Sequence, residues 1–319
     1  MRDHVLNFAK QFEYSPVIEN RTNFKGASSF LVAGMGGSHL AADLLAIWDP
    51  RLDLVIHKDY GLPPLMDLTN RLFIAISYSG NTEETLDAYQ EAVNEGLNTI
   101  AISTGGKLLS LAEENSQPYI KLPESNLQPR LATGMILKAL LVAIAKDEAV
   151  SELTKLAESL KPQNFEQAGQ ELAKNLYESV PIIYSSARNF ALANNWKIKF
   201  NETGKIPAFA NAIPELNHNE MTGFDVQDKT RELSKKFHFV FLSDKSDHPK
   251  IQKRMTVLKT LFESRGLRVS VVKLEGGSVF KKIFASLILG DWTSYYTAIQ
   301  YGVEPEQVPM VEEFKKLIA

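Results

Sequence analysis

The chain contains no cysteine. That excludes disulfides, thiolate metal sites and a cysteine nucleophile together. Positive charge is not in excess either. Thirty-five lysines and arginines stand against 38 aspartates and glutamates, a net charge of −3, and no basic stripe marks a nucleic-acid partner. The longest apolar run, Met135 to Ala145, is broken by Lys138 and is too short to span a bilayer. The first ten residues, Met-Arg-Asp-His-Val-Leu-Asn-Phe-Ala-Lys, lack the apolar core of a secretion signal. The six histidines, at 4, 39, 57, 218, 238 and 248, include no pair at metal-ligand spacing. The expectation is a soluble cytoplasmic protein with no bound metal, no membrane and no nucleic acid among its partners.

What is present is concentrated in residues 73 to 85, Phe-Ile-Ala-Ile-Ser-Tyr-Ser-Gly-Asn-Thr-Glu-Glu-Thr. An apolar strand ends at Ile76, a hydroxyl-rich turn runs from Ser77 to Thr82, and Leu86, Ala88, Tyr89 and Val93 give the following segment a helical apolar face. Asn81 or Thr82 is placed to cap that helix. A helix start offers unpaired N–H groups and the positive end of the dipole, which suit a phosphate. The hydroxyls of Ser77, Ser79 and Thr82 add donors, and Gly80 permits close backbone approach. No Gly-Lys-Ser/Thr follows, so the turn is not a Walker loop; it suits one phosphate monoester. An ordinary capped strand-to-helix turn would carry the same local signals.

Residues 30 to 45 repeat the arrangement, with Gly34-Met-Gly36-Gly37-Ser38-His39 between an apolar strand and an apolar helix. Gly34-Met-Gly36 could open a dinucleotide fingerprint, but His39 occupies the third glycine position, and Asp53 and Asp59 are poorly placed as the acidic partner. The amides of Gly36, Gly37 and Ser38 suit sugar oxygens or a developing oxyanion instead.

Strands alternating with helices predict an α/β chain built on parallel sheets covered on both faces. At 319 residues it divides more naturally into two units than one. The expected division is an N-terminal helical segment over 1–28, a first α/β unit over 29–150, a helical linker over 151–178 and a second unit over 179–319. The second half echoes the first, which suggests duplication. Its counterpart of the hydroxyl turn is Ser243-Asp-Lys-Ser-Asp247, whose carboxylates would repel phosphate. One phosphate site per chain follows.

Four residues outside the two turns are candidates for chemistry. His218 lies in Pro214-Glu-Leu-Asn-His-Asn-Glu220, a polar segment that reads as an ordered loop, whereas His57 and His238 fall in strands and read as structural. Glu202 ends a helix just before Gly204, a candidate C′ residue, and the negative end of the dipole favours a basic carboxylate there. A surface glutamate before a helix cap would look the same. Arg130 follows a proline before a helix and could steady a negative intermediate or cap a neighbour. Lys315, in Glu312-Glu-Phe-Lys315-Lys316, is by itself part of a charged helix face.

With these residues in view, the two loops together resemble a sugar isomerase (SIS) domain. The chain from about residue 29 to its end, with Pro-Arg130, Phe-Asn-Glu202 and Pro-Glu-Leu-Asn-His218-Asn in order, resembles the bifunctional phosphoglucose/phosphomannose isomerase family. The resemblance implies two tandem SIS units of flavodoxin-like character, a C-terminal helix, and a homodimer with the active site near the subunit interface. It implies an aldose-ketose isomerase that interconverts glucose 6-phosphate, mannose 6-phosphate or both with fructose 6-phosphate through a cis-enediol, with no metal or redox cofactor. Ser77, Ser79 and Thr82 would hold the 6-phosphate, with Gly36, Gly37 and Ser38 near the sugar. Glu202 would be the base, Arg130 would stabilise the enediolate, and His218 would assist ring opening from the partner subunit. Lys315 would match a family lysine near the ring oxygen. Alternatives are an isomerase of another phosphosugar and a non-catalytic sugar-phosphate sensor.

Overall fold

The computed structural model describes residues 1–318, and among them nine strands form two parallel sheets. Strands β1 (Ser29–Ala33), β2 (Asp53–His57), β3 (Leu72–Ile76), β4 (Thr99–Ser103) and β5 (Tyr119–Lys121) lie in the order β2-β1-β3-β4-β5. Ala33 stands in register with His57 on one side and Ala75 on the other. β3 and β4 are buried at every position, as apolar runs covered on both faces must be. On one face Leu31, Phe73, Ala75 and Ala101 pack with Ala88 and Tyr89 of the helix Glu83–Asn94 and Leu108 of the helix Gly106–Glu114. The helix Gly37–Trp48 packs against the helix Thr133–Ala143. Lys138, which interrupts the apolar run of that second helix, is buried and donates to the Phe12 carbonyl.

The second sheet holds β6 (Val180–Ser186), β7 (Phe209–Ile213), β8 (Phe237–Ser243) and β9 (Arg268–Lys273), in the order β7-β6-β8-β9. Strand for strand this repeats the first four positions of the other sheet. The helices Phe190–Glu202, Pro249–Ser264 and Val279–Tyr301 accompany it, and the helix Glu166–Asn175 packs on the last of these. That contact is close: a β-carbon on Gly169 would lie 2.4 Å from the Trp292 β-carbon. A C-terminal helix, Pro309–Ile318, follows. By density of contacts the chain divides into residues 7–160 and residues 1–6 with 161–319.

β5 is only three residues, and β7 reads Phe-Ala-Asn-Ala-Ile, whose alanines and asparagine carry little strand propensity. The N-terminal segment expected to be helical opens as a short α-helix, Arg2–Leu6, followed by a 3₁₀ turn, Phe8–Glu13. There the side chain of Gln11 donates to the Leu131 carbonyl and accepts from the N–H groups of Gly134 and Met135, an arrangement local periodicity does not reveal. Among the described residues no helix is long and apolar enough to cross a membrane.

Candidate active site

An order of 2-1-3-4-5 in a parallel sheet places its topological switch point between strands 1 and 3, and ligands bind outside the carboxyl ends there. In residues 7–160 that point is flanked by the two loops singled out above. After β1 the chain passes Gly34, where a β-carbon would lie 2.8 Å from the Ile76 carbonyl oxygen at the end of β3. Gly36 takes φ 51°, and Gly37 opens the helix Gly37–Trp48. Ser38 is buried, and its Oγ accepts from the backbone N–H of Tyr78 at 3.0 Å, fastening one loop to the other.

After β3, the Gly80 N–H donates to the Ser77 carbonyl at 3.0 Å to close a tight turn. Gly80 adopts φ 73° with its Cα facing the Gly105 carbonyl so closely that a β-carbon would sit 1.8 Å from that oxygen. Thr82 occupies the N-cap of the 12-residue helix Glu83–Asn94, but its hydroxyl does not cap the helix. It bonds the Ser77 Oγ at 2.8 Å, while the Thr82 N–H also points at that Oγ at 3.3 Å. The Asn81 N–H points at Ser79 Oγ at 3.3 Å. Ser77 is fully buried and shapes the loop from within; Ser79 is exposed. Hydroxyls and N–H groups thus converge at a helix start, the composition that suits an anion.

Arg130 sits in the 3₁₀ turn Pro129–Leu131 and is 2 % exposed. Its backbone lies directly on Gly37, where a β-carbon would be 2.6 Å from the Arg130 nitrogen. Gly36, Gly37, Ser38, Ser77, Ser79, Thr82 and Arg130 are therefore brought together. Asp53, considered above as a ribose ligand, is bonded instead to Arg71 at 2.8 Å at the start of β2.

In residues 161–319 the equivalent switch point, between β6 and β8, is filled from within. Asn189 donates to Ser186 and to both Asp244 and Asp247, Ser186 donates to Asp247 at 2.8 Å, and the Lys282 ammonium lies 2.6 Å from Asp244. Burial opposes the charge on Asp244, yet Lys282 and the N–H and hydroxyl of Ser246 hold its carboxyl below the usual range. At Asp247 burial outweighs the Ser186 hydrogen bond and the pull of Arg188 and Lys282, and pushes the carboxyl up.

Glu202 is the last residue of the helix Phe190–Glu202 and is half-buried. The left-handed residue ending that helix is Lys205, φ 56°, not Gly204. Gly204 is required for a different reason, since a β-carbon there would lie 2.9 Å from the Phe200 carbonyl oxygen. Further up the helix, Lys199 forms a buried ion pair with Asp291 at 2.5 Å. His218 ends a 3₁₀ turn, Glu215–His218, and is exposed. Glu202 precedes the amino end of β7 and His218 follows its carboxyl end. At about 3.3 Å per residue, the five residues of β7 put roughly 17 Å of strand between them. The fold separates these two within one chain. Lys315 lies exposed on the C-terminal helix with its ammonium 2.9 Å from Glu312. Two contacts beside the candidate residues escaped the sequence reading: the Tyr78 N–H on Ser38, a backbone donor with no side-chain signature, and the Lys205 ammonium on the Glu202 carbonyl, for which a cation just past a helix end was an available signal. Among the described residues no three His, Asp or Glu side chains cluster as metal ligands.

Comparison with known proteins gives the family and the likeness of fold. The family profile described as bacterial phospho-glucose isomerase C-terminal SIS domain matches residues 165–318. The bifunctional phosphoglucose/phosphomannose isomerase of Aquifex aeolicus is 32 % identical, over 98 % of this chain and 96 % of its own length. The protein of the same name from Thermoplasma acidophilum is 31 % identical over the whole of both chains. Among solved structures, the C-terminal domain of glucosamine-fructose-6-phosphate aminotransferase from Francisella tularensis superposes with a TM-score of 0.72 at 15 % identity, covering 96 % of each chain, a likeness of fold.

Proposed function

The chain belongs to the bifunctional phosphoglucose/phosphomannose isomerase family, and from that premise we propose that it interconverts glucose 6-phosphate and mannose 6-phosphate with fructose 6-phosphate in the cytoplasm. The observation that carries the reading is the pair of loops at the β1/β3 switch point, joined by the Tyr78 N–H and Ser38 Oγ. In this reading Ser79, Thr82 and the N–H groups opening the helix Glu83–Asn94 hold the 6-phosphate, with Ser77 holding Thr82 in place. The amides of Gly36, Gly37 and Ser38 face sugar oxygens, and Arg130 offsets charge on the enediolate.

Glu202 takes the proton from C2 of an aldose, the C–H electron pair forms the C1=C2 bond of a cis-enediol as the C1 oxygen gains a proton, and the same carboxylate returns the proton to C1 as the C2 hydroxyl gives up its own to become the ketone. Glucose and mannose 6-phosphates differ only at C2, and the enediol erases that difference, so one base can serve both. A positioned base contributes ~10²–10⁴-fold, and stabilising the developing charge contributes comparably or more. His218 and Lys315 assist ring opening. The strand length between Glu202 and His218 supports a homodimer in which a second copy supplies His218.

The test is a coupled assay on fructose 6-phosphate with EDTA present, scoring glucose 6-phosphate and mannose 6-phosphate separately. Both products are expected. One product alone would narrow the specificity, and no product alongside measurable sugar-phosphate binding would favour a sensor. Loss of activity in EDTA, restored by added metal, would overturn metal independence.

A further inference from the structure

The ending of the helix Phe190–Glu202 is unusual in its chemistry. The Ile206 N–H donates to the Phe200 carbonyl six residues back at 3.2 Å, and the residue before it turns left-handed, so the chain leaves the helix through a left-handed residue. The left-handed position in such an ending is ordinarily glycine, because a β-carbon there crowds the backbone. Here a glycine stands one residue too early, at 204, and a lysine takes the strained position at φ 56°. A backbone conformation that disfavours the residue occupying it calls for a reason in that residue's side chain.

The Lys205 ammonium supplies one. It donates to the carbonyl of Glu202, covering an acceptor at the helix end, and to the carbonyl of Gln307. Gln307 is itself fixed, since its N–H and that of Glu306 donate to the Glu304 carboxylate at 2.6 and 2.8 Å. On the other flank of Glu202, Asn201 donates across the turn to the Ile206 carbonyl at 3.1 Å. The carbonyl of Glu202 is thus held by Lys205 beside a turn that Asn201 ties across, and the same ammonium runs to the segment that leads into the C-terminal helix.

We propose that Lys205 is a positioning residue for Glu202, kept at a left-handed position because its ammonium fixes the carbonyl of that glutamate and bridges it to residues 304–307. The inference rests on the reading of Glu202 as the base. Because glycine suits the left-handed position better, stability and activity separate in the variant Lys205→Gly. Its thermal midpoint stays level or rises while kcat on fructose 6-phosphate falls by about 10- to 100-fold, the range expected when a reacting group is displaced by around an ångström, and KM stays within about twofold. Lys205→Arg, whose guanidinium can reach the same carbonyls, recovers part of kcat.

Wild-type kcat in Lys205→Gly would overturn the inference. So would a loss that follows the folded fraction alone, since that is what a merely structural lysine gives. Glu202→Gln assayed in parallel separates the two levels. If it is inactive while Lys205→Gly turns over normally, only the positioning role fails. If Glu202→Gln keeps wild-type turnover, the base assignment fails and the positioning role with it.

Discussion

Gly37 and Arg130 meet backbone to backbone: a β-carbon on Gly37 would lie 2.6 Å from the Arg130 nitrogen and 2.5 Å from the preceding carbonyl carbon of Pro129. Neither atom is the end of a flexible side chain, so Gly37→Ala must push the Pro129–Arg130 turn away from the loop. Overpacking of this kind costs about 1–3 kcal/mol. The expected outcome is a lower melting temperature together with a fall in kcat/KM as Arg130 shifts. Gly26→Ala, where a β-carbon meets nothing within 4 Å, is the control and should change neither.

The hydroxyl loop gives a second prediction. Ser77 and Thr82 bond each other, so removing both hydroxyls in Ser77→Ala/Thr82→Ala takes away a donor and the support that aims it. A hydrogen bond to a charged group is worth ~1.5–3 kcal/mol. Binding of glucose, mannose and fructose 6-phosphates should weaken together, by about tenfold or more on that scale. Titration calorimetry reads this directly, and unchanged affinity would remove the phosphate assignment.

The buried pair of Lys199 and Asp291 predicts an asymmetry between single and double variants. Asp291→Asn leaves an ammonium buried beside a neutral partner and should cost about 3–5 kcal/mol in urea unfolding. Replacing both, Lys199→Met with Asp291→Leu, should recover most of that loss. A double variant no more stable than the single would show that the pair's charge is not what matters.

His238 sets a pH dependence. It is buried in β8 with Nε2 2.9 Å from Ser270 Oγ, and burial together with Arg268 pulls it from 6.5 to about 4. The unfolded chain therefore binds a proton between about pH 6.5 and 4 that the folded chain does not. Its contribution to stability is intact above pH 6.5 and shrinks on acidification by roughly 1 kcal/mol per pH unit through that window. Melting temperatures measured from pH 7 to 4.5 should fall less steeply in His238→Gln than in the parent.

What the sequence disclosed, and what it did not, divides by the range of the forces involved. The β1 and β3 loops were legible because strand, glycine turn and helix start are local signals. Glycine was read correctly as a turn signal at 36 and 80, where φ is positive. It misled at 204, because the tight approach to Phe200 and the left-handed turn fall on neighbouring residues and only coordinates tell them apart. β7 is not legible locally, because Ala-Asn-Ala becomes a strand only by pairing with β6. The seating of Arg130 on Gly37 joins residues far apart in sequence and was beyond any local rule. The carboxylates at 244 and 247 were read as repelling an anion; that Lys282 would come to neutralise one of them was not readable.

That last arrangement distinguishes the two sheets. Asp244 and Lys282 pair at 2.6 Å, so the loop after β8 already carries both a charge and its countercharge. The hydroxyl loop after β3 still has its gain to make. A ligand adds RT ln(1 + [L]/Kd) only to the structure that holds it. Sugar phosphate should then slow amide exchange around the helix Glu83–Asn94 far more than around its counterpart Pro249–Ser264. Equal protection of both helices would remove the assignment of the phosphate to the loop after β3.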